Sequence, residues 1–224
     1  MRMTRSTVSE EVRNSKAYRY AKDVTEGRIV SGKRRIQACS RFLSELSMQA
    51  DENYPWRFDL ELGYRPIRFI EEFLVPTKGA YKKTTLLPWQ HFVEANLYGW
   101  VSKQTGYRRF REGLIIVGQG NGKSTMIAGN AAYSLTKDGE RGAEVYCLAN
   151  AKDQARTVFD ECSNQILASP ILSKHVRVTK QGMFFDRTSS FFKPLASDSK
   201  NLDGKNVHMG CLLYTSPSPR DSTS

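Results

Sequence analysis

Residues 114–125, Leu114-Ile115-Ile116-Val117-Gly118-Gln119-Gly120-Asn121-Gly122-Lys123-Ser124-Thr125, decide the fold. The first four form an unbroken, β-rich apolar run, the pattern of a strand buried on both faces. A glycine-rich loop follows. Lys-Ser-Thr then opens an Ala-rich stretch that reads as a helix to about Leu135. Phosphate is negatively charged and rich in acceptor oxygens, so a loop that wraps it must turn its backbone N–H groups inward. Glycines permit those dihedrals and a close approach, and the positive end of the next helix adds to the field. In this pattern Lys123 reaches the β- and γ-phosphates and Ser124 offers its hydroxyl to Mg2+. The fit to G-x-x-x-x-G-K-[ST] is incomplete: Gly122, Lys123 and Ser124 match, but Val117 stands at the first glycine and Gly118 comes one place late. Asn121-Gly122 is also a hairpin dipeptide. The flank KSTMIAGNAAYSL has no β pattern, however, and nucleotide binding is the reading that survives.

Downstream, 143–148 (AEVYCL) reads as a second buried strand. Ala155, Val158, Phe159, Cys162 and Ile166 mark a helix stopped by Pro170, and Val176–Thr179, Met183–Phe185 and Phe191-Phe192 read as short strands. Strand, helix, strand, helix argues for an α/β fold with a parallel sheet. Upstream, residues 1–15 read as a mobile polar arm. Cys39, Phe42, Leu43 and Leu46 then recur at helical spacing behind Lys33-Arg34-Arg35. A second helix is expected to start near Pro66, bury Phe69, Ile70, Phe73 and Leu74, and end before Pro76. A third should start near Pro88 and carry Trp89, Phe92, Leu97 and Trp100 inward. The expected organisation is an arm over 1–15, a helical segment over 16–105, an α/β domain over 106–210 and a tail over 211–224.

The 224 residues carry 34 Lys and Arg against 23 Asp and Glu, a net charge of +11. Such an excess favours a polyanionic partner, nucleic acid first. No apolar run approaches the ~20 residues of a membrane span, and the polar N-terminus lacks a secretory pattern. Cys39, Cys147, Cys162 and Cys211 form no CxxC pair. Cys147 and Cys162 read as small buried hydrophobes in a reducing compartment, and His91, His175 and His208 show no metal-ligand spacing.

On several stretches in order, the sequence resembles the large terminase subunit of tailed bacteriophages, an ATP-driven DNA packaging motor. They are WRFDLELGYRPIRFIEEFL, LLPWQHFVEANLYGWV, RRFREGLIIVGQGNGKST, DGERGAEVYCLANAKDQARTVFDE and SDSKNLDGKNVH. The resemblance implies a P-loop α/β ATPase of the ASCE type, using ATP and Mg2+, followed by a separate nuclease domain. It implies double-stranded DNA, a portal protein and a small terminase subunit as partners of a homo-oligomeric ring in the host cytoplasm. The loop residues Gly118, Gln119, Gly120, Asn121, Gly122, Lys123, Ser124 and Thr125 match its nucleotide site, and its Walker A also lacks the first glycine. Leu87-Pro88-Trp89-Gln90 matches a stretch where a glutamine contacts adenine, which makes Gln90 the base reader and Trp89 a core anchor that helps hold it. Many members carry an arginine where Gln119 or Gly120 stands here. Asp153 opens the next helix, as a helix-start residue or on the face that couples nucleotide to DNA. Arg34, Arg35, Lys82, Lys83, Arg108 and Arg109, with Lys33 and Arg111, are candidates for sequence-independent phosphate contacts.

Such an ATPase needs an apolar strand ending in Asp-Glu, to hold Mg2+ and orient the attacking water. Val207-His208-Met209-Gly210 reads as the approach to that strand, but Cys-Leu-Leu-Tyr follows and no catalytic Glu appears. Cys211 to Asp221 can be written in codons as the end of a transposase-based sequencing adapter read in frame; a Ser/Pro-rich disordered tail is the alternative. The sheet is therefore expected to be incomplete and the chain inactive in hydrolysis. Two other functions fit the residues: a helicase-like P-loop ATPase, and a nucleic-acid-binding module without turnover.

Overall fold

Ser9 begins the first helix: its Oγ accepts from the Val12 N–H, and Glu10 and Glu11 occupy the first turn, where the helix dipole favours acids. This is α1 (Glu10–Asn14), and Val8 and Val12 are buried. Ser15 caps α2 (Lys16–Thr25) in the same way. Residues 8–15, expected in a polar arm, are thus helical and partly buried, because two serines supply caps and two valines supply an apolar side. The computed structural model describes residues 8–76, 83–118, 120–149, 152–196 and 206–212.

The chain divides into two compact units. The helical unit takes the described residues up to Glu71 together with Thr85–Ile116. Within it, α2 buries Ala17, Tyr20, Ala21 and Val24, and α3 (Lys33–Met48) buries Cys39, Phe42 and Leu46, each set on one helical face. β1 (Trp56–Phe58) leads into α4 (Leu60–Phe73). That helix starts at Leu60, not near Pro66, because Asp59 Oδ1 accepts from the Leu62 N–H at 3.0 Å. Burial alone would raise the Asp59 carboxyl, but the bonds from Leu62 and Arg57 outweigh it and hold the pKa below its ordinary value. Pro66 lies inside the helix and is buried, at the loss of one backbone hydrogen bond. α5 (Pro88–Gly99) starts at Pro88, as expected, and runs into β2 (Trp100–Ser102), which pairs antiparallel with β1. A side chain at Gly63 would come within 3.0 Å of the Ala95 carbonyl, so glycine is what lets α4 and α5 cross closely. Phe42 meets Phe58, Phe92 and Trp100 edge-on, with ring centroids 5.2, 5.6 and 6.2 Å away. Trp89 and Leu97, expected inside, are only half-buried; the inner face of α5 carries Gln90, His91 and Glu94 instead.

The second unit contains Glu72–Thr84 and the chain from Val117 onward. It holds α6 (Lys123–Thr136), β3 (Glu144–Ala149), α7 (Lys152–Ala168), β4 (Arg177–Val178), β5 (Met183–Phe185), β6 (Ser190–Ala196) and β7 (Val207–Leu212). The sheet order is β4-β5-β6-β3-β7. β3 runs parallel to β6 on one side and β7 on the other. β4, β5 and β6 are antiparallel because their short connections cannot make a parallel crossover. Val145, Cys147, Val158, Cys162, Ile166, Met183 and Phe192 are fully buried between the sheet and the helices, with Phe159 packed 5.4 Å from Phe192.

One expectation is corrected here. Leu114–Val117 joins no strand of the described sheet, and Leu114 and Ile116 are 85% and 84% exposed. A buried parallel strand needs ladders beside it, and no described strand pairs with this run. β7 also runs past Gly210, with Cys211 opposite Cys147 and Leu212 opposite Leu148, at the place where Val207 to Gly210 was expected to lead into a strand.

Phe42→Ala is expected to cost about 3–5 kcal/mol, the range for truncating a fully buried aromatic. Trp56, Trp89 and Trp100 all lie in the helical unit, so urea unfolding followed by tryptophan fluorescence reads this loss directly. A cost under 1 kcal/mol would show that the aromatic cluster does not hold the unit together.

Candidate functional site

The loop ahead of α6 turns on two glycines. Gly120 has φ 79° and Gly122 has φ 73°, both in the left-handed region that side chains disfavour. Alternation of this kind points successive N–H groups to one side and makes an anion-binding concavity. Asn121 Nδ2 donates to the Gly118 carbonyl at 3.2 Å and closes the loop. Gly122 is the N-cap of α6 and has no side chain to bond the first-turn N–H groups. Lys123 is the first residue of α6, and its Nζ donates to the Val117 carbonyl at 2.9 Å, across the base of the loop. Ser124 and Thr125 follow, both half-buried. Thr125 Oγ1 donates to Glu161 Oε1 at 3.4 Å, and Gln165 Nε2 donates to the same oxygen at 2.9 Å, tying α6 to α7. Gln119 lies outside the described residues. Among the described residues, no cluster of three His, Cys, Asp or Glu is arranged to hold a metal ion. The Ser124 hydroxyl suits an ion that arrives with phosphate oxygens, since Mg2+ takes most of its ligands from phosphate and water.

Gln90 belongs to the helical unit and is 4% exposed. Its Oε1 accepts from the Leu87 N–H at 2.7 Å, so the amide braces the start of α5. One residue earlier, the Leu86 N–H donates to Glu71 Oε1 at 3.0 Å. That oxygen is 3.3 Å from His91 Nε2, which is also 3.3 Å from Lys16 Nζ. Burial, then the Lys16 cation, lower the His91 pKa, and Glu71 opposes them. Apolar periodicity could not find this buried polar group; the signal was Leu-Pro followed by Gln at the third helical position, the spacing of a reciprocal cap.

The basic candidates separate. Arg34, Arg35 and Lys83 are exposed, and Lys82 lies outside the described residues. Arg108 stacks over Tyr98 at 4.9 Å. Arg109 is turned inward and only 20% exposed. Its two terminal nitrogens donate to Glu45 at 2.9 and 2.8 Å, one also to the Tyr54 hydroxyl, and the guanidinium lies over Trp56, Trp100 and Phe110. An arginine in a triplet reads as surface charge, but a bidentate carboxylate and aromatic faces turn this one inward. Asp153 lies in the first turn of α7. No helix among the described residues is long and apolar enough to cross a membrane.

A sheet with a parallel centre and a left-handed glycine loop leading into Lys-Ser-Thr at a helix start define a P-loop α/β nucleotide-binding protein. Residues 88–212 match the family described as terminase large subunit, ATPase domain, and the chain belongs to that family. It is 30% identical over 161 residues to the terminase large subunits of Lactococcus phage p2 and Lactococcus phage SK1, a match covering 68% of this chain and 29% of each relative. The crystal structure of the HK97 bacteriophage large terminase superposes with a TM-score of 0.55 at 22% identity, over 67% of this chain and 30% of that one, which supports the fold.

Gly122→Val forces a β-branched residue to φ 73° and should abolish nucleotide binding while destabilising the second unit by about 1–3 kcal/mol. Isothermal titration with ATP and Mg2+ reads the first effect; unchanged affinity would mean that this backbone turn does not form the site. A histidine whose folded pKa is lowered stabilises the fold fully above its unfolded value of about 6.5 and loses that contribution as pH falls. The melting temperature reported by tryptophan should therefore drop between pH 7 and 5, and His91→Gln should flatten that slope. An equal slope in the variant would remove His91 as its source.

Proposed function

We propose that this chain supplies the nucleotide-binding part of a motor that hydrolyses ATP to drive double-stranded DNA into a phage procapsid. The observation that carries the reading is the pair of left-handed glycines set immediately before Lys123 at the start of α6. The backbone of Gly118 to Gly122 cradles the β-phosphate, and Lys123 leaves the Val117 carbonyl for the β- and γ-oxygens. Ser124 would hold Mg2+ through its hydroxyl, the ion would neutralise phosphate charge when bound, and Thr125 completes the first turn. Gln90 reads adenine by its amide, braced by the bond to Leu87. Asp153 fits the helix-start role better than a coupling role, since it stands in the first turn of α7. The same reading extends to a nuclease domain, a portal protein, a small terminase subunit, a homo-oligomeric ring and the host cytoplasm as its setting.

Turnover by this chain is a separate matter. Hydrolysis requires an acid to orient water beyond an apolar strand. β7 fits that strand, since it lies beside β3 with Cys211 and Leu212 at its end. Leu213 and Tyr214 follow in sequence where Asp and Glu are needed. The chain as written therefore binds nucleotide and does not turn it over at a useful rate.

Limited subtilisin digestion tests both parts. ATP with Mg2+ should protect the segment around residues 117–125, and Lys123→Ala should remove that protection. Absence of protection in the unaltered chain would overturn nucleotide binding. Multi-turnover phosphate release, abolished by Lys123→Ala, would overturn the claim of an idle site.

A further inference from the structure

The outer face of α3 carries charge of one sign. Its sequence holds Lys33, Arg34, Arg35 and Arg41 against a single acid, Glu45, and Glu45 is held by Arg109. The first turn has three cations and no acid, the arrangement that opposes the helix dipole, so this charge does not serve the helix. Arg35 sits close enough to the Tyr20 phenol to interact electrostatically with it and is partly committed. Arg34 and Arg41 are seven residues apart, two turns along one face, a separation of about 10 Å. Arg41 lies 5.4 Å over the Phe110 ring, and Arg109 lies 5.0 Å from the same ring. Phe110 thus joins Arg41 of α3 to the 108–111 segment, and Arg111, the next residue in the chain, is exposed. Lys33, Arg34, Arg41 and Arg111 form no ion pair among the described residues, whereas Arg28, Arg57, Arg68 and Arg177 each do. Glu112, beside Arg111 in sequence, is the one acid that adjoins the 108–111 segment.

We infer that Lys33, Arg34, Arg41 and Arg111 form a sequence-independent binding surface for the phosphate backbone of double-stranded DNA. This rests on the DNA reading above and gives it a location on the helical unit. Rigidity is what distinguishes this surface from ordinary solvated charge: Arg41 is held on an aromatic face, and the Arg109–Glu45 pair locks the neighbouring segment to the helix. An arginine held in place, as Arg41 is, engages a phosphate with little further ordering, and phosphate contacts of this kind carry no base information.

The test is the salt dependence of binding to a mixed-sequence duplex of about 20 base pairs, measured by fluorescence anisotropy between about 50 and 200 mM KCl. Each phosphate contact contributes about 0.9 to the slope of log K against log salt. The triple variant Arg34→Gln/Arg41→Gln/Arg111→Gln should flatten the slope by about 2–3 and weaken binding most at low salt. Lys174→Gln/Lys180→Gln, which alters exposed cations elsewhere, should leave it unchanged. A triple variant with the original slope would overturn the surface while leaving DNA binding intact. An equal loss in the Lys174/Lys180 variant would reduce it to bulk charge, and tighter binding of a single strand than of the duplex would overturn the choice of ligand. No duplex binding by the unaltered chain would overturn both this proposal and the DNA reading beneath it.

Discussion

A backbone that must turn its N–H groups toward one point is the constraint on which the second unit is arranged. Gly120 and Gly122 meet it by adopting positive φ, which a side chain would make costly. Everything adjoining then has a defined place. α6 begins at once, so Lys123 leaves the first helical position and reaches the Val117 carbonyl. Thr125 and Glu161 tie that helix to α7, and α7 covers β3 and β6 through Val158, Phe159, Cys162 and Ile166. β3 pairs in parallel with both neighbours and forms the centre of the sheet that α7 covers.

The helical unit is held by a different balance. Its aromatic cluster around Phe42 is dry, yet beside it α5 buries Gln90, His91 and Glu94. Buried polar groups are tolerable when they are bonded. Here Glu71 holds the Leu86 N–H and Gln90 holds the Leu87 N–H, so two consecutive backbone donors at the start of α5 are met by side chains. Arg109 does similar work through Glu45 and Tyr54, within a ring of aromatic faces. Charge that looked external in sequence, at Arg109, is turned inward in fact, while Lys33, Arg34 and Arg41 on α3 stay exposed.

Much of the site was legible because its signals are local. Glycine spacing, the Lys-Ser-Thr that follows and the helical flank depend on a dozen consecutive residues, and the helices over Cys39–Leu46 and Ala155–Ile166 appear where their periodicity placed them. What failed depended on distant partners. Leu114–Val117 has the composition of a buried strand, but composition does not supply a neighbour to pair with. Pro66 looked like a helix start until the Asp59 cap overrode it. Arg109 could not be told from Arg108 or Arg111 without Glu45, which lies 64 residues away. Residues 8–15 were misread because α1, a single five-residue helix, gives too few turns for a periodic signal.

Amide chemical shifts of the 15N-labelled chain, followed as ATP and Mg2+ are added, test the central claim most directly. Saturable shifts concentrated on residues 118–125, with Lys123 and Ser124 among the largest, are expected. Shifts confined to Lys33, Arg34 and Arg41, or none that saturate, would show that the glycine loop is a turn and not a phosphate site.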